Sequence, residues 1–451
     1  MKVTLIYPGI GDYEDEARME PLSLGALAGF TPPDVEVVLY DDRMEEIPFD
    51  DPTDLVGITV QIFSARRAYE ISAEYRKRGV PVIMGGMHPT LIPDEVSQHA
   101  DSIFMNDAEA LWPQVIEDAR HGRLQPVYKG NPSVPQPDSF TRQDLYKGKK
   151  YLPLSLLQFG RGCHFTCTFC ATGAYFDHGH YHRDVRQVVG EIERLDRKAV
   201  FFVDDNIVAN FEAAKAIFRA LIPLKIHWVS QASINMTRDR ELMSLMVKSG
   251  CLGHVVGLES IDESNLRLMK KSQNFAGGFQ SFQPQLEILR DYGLQTWAAF
   301  TLGHDYDTPE SIERTLEFAV KNKFTFAAFN ILLPYPGTPL YKKLQAEGRL
   351  LFDGKWWLHP DYRFNYAAFH PAHMSADKLT EMAYYARRSF NSFGSILKRV
   401  TDLKTNMRNP LRFAVYLAYN PLFRKETLKK QGVKLSRDNV VTTSVVQPIS
   451  D

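Results

Sequence analysis

Three of the chain's four cysteines fall within eight residues, in Gly162-Cys-His-Phe-Thr-Cys-Thr-Phe-Cys170. The spacing is C-x3-C-x2-C. Thiolates are soft ligands that suit zinc and iron–sulfur clusters. A structural zinc site asks for four ligands, usually as two separated pairs. Here the cysteines share one tight loop, and His164, His178, His180 or His182 would have to complete a zinc set. A cubane iron–sulfur cluster takes one ligand per iron, so three cysteines leave one iron open to a substrate or cofactor. A third reading, buried structural cysteines, suits a tight loop poorly. Cys251, the remaining cysteine, reads as a core residue.

Elements that position such a loop are visible in the patterning. At 451 residues the chain exceeds one ordinary core, and two or three domains are expected. Residues 1–125 alternate strand patterns (Val3–Tyr7, Val35–Tyr40, Leu55–Val60, Pro81–Met84, Ser102–Met105) with helical ones (Ser64–Lys77, Leu111–His121), the sign of a doubly wound, Rossmann-like α/β sheet. Residues 126–150 are rich in Pro, Asp, Gln and Lys and read as a linker. From 151 to 348 six further βα units follow, which predicts a partial (β/α)6 barrel, short of the usual eight. Its strands are Leu154–Phe159, Ala199–Val203, Ile226–Ser230, His254–Leu258, Gln295–Phe300 and Thr325–Ile331. Residues 349–451 form a mainly helical, aromatic and basic extension.

With the cysteine loop placed after the first barrel strand, and Phe169 just before the last cysteine, the chain resembles the radical S-adenosylmethionine (SAM) superfamily. Later segments extend the resemblance: Phe201-Phe-Val-Asp-Asp-Asn206, Trp228-Val-Ser-Gln231, Ser249 to Ser260, Leu302-Gly-His-Asp305 and Pro334-Tyr-Pro-Gly-Thr-Pro339. The resemblance implies a [4Fe–4S] cluster on Cys163, Cys167 and Cys170. It implies SAM on the open iron, with contacts from Phe169 (through its backbone), Gln231, Glu259 and Ser260. A low-potential electron donor such as flavodoxin or ferredoxin would be a partner. Surface or capping roles are the alternative for Gln231 and Glu259, and capping of a barrel loop for Asp204 and Asp205. No residue is singled out as catalytic.

Residues 1–125 resemble the cobalamin-binding domain fused ahead of many radical SAM domains, through Tyr7-Pro-Gly9, Glu20-Pro-Leu-Ser-Leu-Gly25, Gly57-Ile-Thr59 and Gly85-Gly-Met-His-Pro-Thr90. Thr59, Gly85 and Gly86 would form the floor under a corrinoid, where absence of a side chain lets the ligand approach. Two departures stand out. Asp41-Asp-Arg-Met-Glu-Glu-Ile lacks the histidine of the cobalt-coordinating signature, and Asn106-Asp-Ala-Glu109 replaces the usual Gly-Glu-Gly-Glu. The implied activity is cobalamin-dependent C-methylation of a small or lipid-like biosynthetic intermediate. Anaerobic magnesium-protoporphyrin ester cyclase and hopanoid methylases are relatives of this kind. The alternatives are a radical SAM oxidase or cyclase without cobalamin, or a zinc-stabilised binding module.

Charge is unevenly placed. Residues 387–437 hold 13 Lys/Arg against Asp402 and Glu426, for +11, while the rest of the chain carries −12. An anionic partner for that segment is therefore expected. Leu411–Phe423 fits an interfacial helix on anionic lipid; a solvated basic face or a subunit contact fits equally. No nucleic-acid recognition motif accompanies the charge. The aromatics of 351–393 read as a substrate wall or as ordinary packing. With no export signal and no apolar run of membrane-spanning length, the expected location is the cytoplasm, with peripheral membrane contact through 387–437.

Overall fold

A computed structural model of the protein describes residues 1–11, 13–131, 141–195, 197–274 and 282–437. The Pro-rich centre of the expected linker, 132–140, lies outside these.

The molecule is mixed α/β, built on two parallel six-stranded sheets. The first contains β1 Lys2–Tyr7, β2 Glu36–Asp41, β3 Leu55–Thr59, β4 Val82–Gly85, β5 Ser102–Met105 and β6 Val127–Lys129, in the order 2-1-3-4-5-6. Its central strands are apolar and buried throughout, as Leu55-Val-Gly-Ile-Thr59 shows. Parallel strands covered on both faces demand this pattern. Strand order reverses between β1 and β3, and ligands bind such sheets at the carboxyl ends beside the reversal. The sixth strand was not expected: Val127–Lys129 falls within the segment read as linker, yet it pairs in parallel with β5. Three residues are too short a run for alternation to register. Beyond the undescribed stretch, Tyr146 is buried, its hydroxyl donating to the Pro21 carbonyl at 3.1 Å. The ends of the linker are thus part of the first unit's packing.

The second sheet starts with β7 Ser155–Leu157. A short antiparallel pair follows, β8 Gly160–Gly162 and β9 His180–His182, flanking the cysteine loop. Then come β10 Ala199–Phe202, β11 His227–Ala232, β12 Cys251–Glu259, β13 Gln295–Leu302 and β14 Phe326–Ile331, in the order 7-10-11-12-13-14. The helices between them carry their own boundary signals. Thr308 and Ser311 form a capping box with Pro309 at the first position of Pro309–Lys321, and Thr338 caps Pro339–Ala346. One face of this sheet buries Phe202, Trp228, Phe300 and Phe329 against the helices. On the other face Val229, Gln231, Val255, Ala299 and Asn330 remain half-buried or exposed, which leaves an open concavity.

The C-terminal extension holds three helices, Ala376–Phe390, Phe393–Val400 and Pro410–Lys430. Its aromatics form no wall over the concavity. Trp356, Trp357 and Tyr362 are buried in the first unit, in a cluster with Ile58, Val60, Tyr69 and Met84, and Phe369 and Phe390 pack in the core of the second. Truncation of an aromatic buried in this way costs about 3–5 kcal/mol, so residues 356–369 bind the units together. Much of the extension's positive charge is used internally. Arg387, Arg399 and Arg412 are buried donors to backbone carbonyls. Lys425 and Lys429 both reach Glu16 at 2.6 Å, Lys430 reaches Asp15, and Arg437 reaches Asp42.

Candidate active site

The cysteine loop is held from beneath by Asp204, Asp205 and Asn206, just after β10. Asp204 is buried, and its two carboxylate oxygens accept the backbone N–H groups of Phe159 (2.9 Å) and Gly160 (2.6 Å). Burial pushes this carboxyl up to about 7 despite those bonds. Asp205 accepts from Gly162 N–H at 2.8 Å and from the Thr172 hydroxyl at 3.0 Å, bracketing the loop at both ends. Asn206 bonds Ser233 after β11 and also lends a hydrogen bond to Cys163. Of the two roles open to Asp204 and Asp205, the capping one is what the structure shows.

Cys163 and Cys170 are half-buried, Cys167 is buried, and all three are free thiols. Burial raises the Cys163 and Cys167 thiols above the usual cysteine range; a backbone bond from Phe165 opposes it at Cys163, and the charge of Lys271 at Cys167. Deprotonation must therefore come with metal binding, as it does for thiolate ligands generally. Gln273 Nε2 lies 3.6 Å from Cys167 Sγ. Three thiols, two side-chain donors facing sulfur and a nearby ammonium match what an iron–sulfur cluster asks of its surroundings.

Among the described residues no three His, Cys, Asp or Glu side chains converge on one ion position. The loop histidines are engaged elsewhere: His178 Nδ1 is 3.1 Å from the Phe165 carbonyl, His182 Nδ1 is 3.4 Å from that of Arg183, and the His164 ring packs on Phe165. Ligands of a cubane sit on separate irons and need no common centre.

Beside the loop lies a buried polar group that reading the sequence missed. Lys271 Nζ pairs with Glu259 Oε1 at 2.8 Å and stands 5.9 Å from the centre of the Phe169 ring. Burial works against its charge, but Glu259 and the nearby Cys167 outweigh it and hold the ammonium above the usual lysine range. Glu259 ends β12 at φ +64, just past an irregularity in the pairing with β13. A non-glycine residue in that region is strained, a feature that concentrates at functional sites. A Cβ on Gly257 would come within 2.4 Å of Glu259 Oε1 and 2.9 Å of Lys271 Nζ, so a larger residue there would push the ends of the pair aside. Gln273 Oε1 and Asn274 Oδ1 are buried without partners among the described residues. Lys270-Lys271 in sequence looks like any exposed basic pair, and only Gly257-Leu-Glu259 hints otherwise.

The other expected contacts divide. Gln231 is exposed on the open face of β11. Phe169 is half-buried and meets His304 edge to face. Ser260 is turned aside, its hydroxyl accepting from Asp262 N–H at 3.1 Å. Cys251 is buried, 3.3 Å from His254 Nε2, as a core residue would be.

Thr59, Gly85 and Gly86 meet at a cavity of about 420 Å³ between the carboxyl ends of the first sheet and the start of the second. From the far side Arg161, Tyr175, Arg183 and Asp205 line it. Volumes of this order are typical of cofactor and ligand sites. Among the described residues no histidine lines it; His88 points away, into a buried cluster with Tyr69 and Glu95, which also accepts from Trp357. Asn106 and Ala108, which stand where the glycines were expected, both line the cavity, and the two acids that alternate with them have a visible task. Asp107 and Glu109 clamp the Arg161 guanidinium at 2.8 and 2.7 Å. Arg161 lies two residues before Cys163, so the clamp ties the first sheet to the cysteine loop.

The family model of the radical SAM superfamily matches residues 157–319. The chain is 30% identical over 371 residues to bacteriochlorophyllide d C-8(2)-methyltransferase of Chlorobaculum tepidum, covering 75% of this chain and 80% of that one. It is 28% identical over 399 residues to the C-12(1)-methyltransferase of the same organism, covering 86% of each. The structure of TsrM from Kitasatospora setae, a radical SAM methyltransferase with cobalamin and a [4Fe–4S] cluster bound, superimposes with a TM-score of 0.62 at 17% identity, over 77% of this chain and 75% of that one. By its cysteine loop, its fold and these relatives, the chain belongs to the radical SAM superfamily.

Proposed function

We propose that the protein is a cobalamin-dependent radical SAM C-methyltransferase acting on a tetrapyrrole or another lipid-like biosynthetic intermediate. Cys163, Cys167 and Cys170 hold the [4Fe–4S] cluster, residues 1–125 form the corrinoid unit, and 151–348 form the partial barrel in which SAM and substrate meet. When bound, the cluster supplies the electron that cleaves SAM to methionine and a 5′-deoxyadenosyl radical, and the corrinoid carries methyl groups.

The chain's own residues do the positioning. Asp204 and Asp205 fix the loop. The Lys271–Glu259 pair offers an ammonium and a carboxylate, which complement the carboxylate and amino groups of a methionine moiety. Gln231, on the open face of the sheet, offers an amide to the nucleoside portion, while Phe169 presents backbone groups and Ser260 shapes the turn after β12. Methylating relatives support the reaction class.

The observation that carries the corrinoid is the cavity, floored by Thr59 and the side-chain-free Gly85 and Gly86 and lined on its far side by Arg161, two residues from the cysteine loop. Asn106 and Ala108 favour a second reading, an oxidase or cyclase without cobalamin, because both line the cavity at positions that glycines would leave free. One experiment separates them. After anaerobic reconstitution with hydroxocobalamin, the corrinoid absorbance is expected to persist through desalting at one per chain. Gly85→Phe, which fills the cavity, is expected to cut retention at least tenfold while leaving iron content unchanged. Loss of all absorbance from the unaltered protein would support the second reading.

A further inference from the structure

Of the twelve large apolar side chains that stand exposed among the described residues, seven lie between Tyr385 and Leu417. Six of the seven, all but Tyr385, belong to one helix–loop–helix, Phe393–Val400 followed by Pro410–Lys430. Phe393 and Leu397, one helical turn apart, are 64% and 68% exposed; Leu403 in the connecting loop is 73% exposed, and Leu417 on the second helix 49%. The two helices pack together, since the Tyr416 hydroxyl bonds the Ile396 carbonyl and Arg399 reaches Asn420. The outward side of the hairpin is therefore a firm surface. Apolar groups this exposed and this close together mark an interaction site.

Charge identifies the partner. From Met382 to Lys425 the single carboxylate is Asp402, which is buried and paired with Arg290. Arg388, Lys398 and Arg408 are exposed in the same stretch, and the Arg424 guanidinium lies 4.8 Å from the centre of the Phe393 ring. Asp291, from a neighbouring element, neutralises Lys404 in the connecting loop; the other exposed cations, rimming protruding apolar side chains, complement a surface that is anionic outside and apolar within. A second copy of the chain fits poorly, because two-fold pairing would set like charges face to face.

We propose that the hairpin of residues 393–417 is a docking surface for an anionic lipid bilayer, with Phe393, Leu397 and Leu403 entering the headgroup layer and the flanking cations held above it. The site is narrower than the basic segment 387–437, because Lys425, Lys429, Lys430 and Arg437 are spent on Asp15, Glu16 and Asp42. It holds whatever reaction the cavity supports, since lipid binding requires neither SAM nor corrinoid.

The test is co-sedimentation of the full-length protein with vesicles of phosphatidylglycerol in phosphatidylcholine, and with phosphatidylcholine alone. Binding to the anionic vesicles is expected to be at least tenfold tighter and to weaken as salt rises. Leu397→Glu and the pair Arg388→Glu/Lys398→Glu should each weaken it at least tenfold. Ile222→Glu, an exposed position elsewhere, should leave it unchanged. Circular dichroism checks that each variant is folded. Absence of binding at low salt, or full binding by Leu397→Glu, would overturn the proposal. So would a concentration-dependent dimer that Leu397→Glu dissolves in a protein with no affinity for vesicles.

Discussion

Alanine in place of Cys163, Cys167 or Cys170 is expected to reduce 5′-deoxyadenosine formation from SAM by at least about a thousandfold, which is about 4 kcal/mol of activation free energy. In the proposed function the loop supplies three ligands, and Cys251, the chain's other cysteine, is buried against His254 and cannot substitute. Circular dichroism should remain unchanged, because the loop is fixed by Asp204 and Asp205 through backbone N–H groups, not by the thiols. Iron and sulfide per chain should fall in parallel with activity. Retained cleavage in any one of these variants would place the cluster elsewhere.

Removing the ammonium beside the loop should act on SAM rather than on iron. In Lys271→Met the expected loss of SAM affinity is about a hundredfold, or about 2.7 kcal/mol, the scale of losing one partner of a buried charge pair. The same change leaves Glu259 buried and uncompensated, which costs about 3–5 kcal/mol of folding stability. The double variant Lys271→Met/Glu259→Gln removes that cost. It should recover stability in urea but not SAM affinity, and this separates a ligand contact from a structural one. Anaerobic equilibrium dialysis with the cluster-loaded protein reads the affinity. An unchanged dissociation constant in both variants would remove Lys271 from the site.

Much of this architecture is legible in the residues, and the exceptions have physical causes. Strands buried on both faces announce themselves as apolar runs and strands with one open face as alternation, so β1, β3 and β10 to β14 lie within a few residues of where patterning puts them. The three-residue β6 and the β8–β9 pair carry no such run. The cysteine loop is readable because ligand chemistry fixes residue type and spacing together. Lys271 is not, because its burial depends on the missing side chain of Gly257 and on a strained Glu259, both set by contacts twelve or more residues away. The aromatic segment misleads in a different manner. Trp356 and Trp357 read as candidates for a substrate wall, yet they complete the first unit's core across nearly 300 residues of chain, and periodicity cannot reveal which core an apolar residue will join. Likewise the +11 segment counts charges but not their partners, and its carboxylates Asp15, Glu16 and Asp42 lie near the other end of the chain.

The most direct test of methyl transfer follows the label from methyl-labelled SAM. The protein would be reconstituted anaerobically with iron, sulfide and hydroxocobalamin, reduced, and offered bacteriochlorophyllide-type tetrapyrroles and lipid extracts. The account predicts that label enters the product together with formation of 5′-deoxyadenosine, and that Cys167→Ala abolishes both. Formation of 5′-deoxyadenosine with substrate consumed but no label in the product would contradict methyl transfer and establish an oxidation or cyclisation instead.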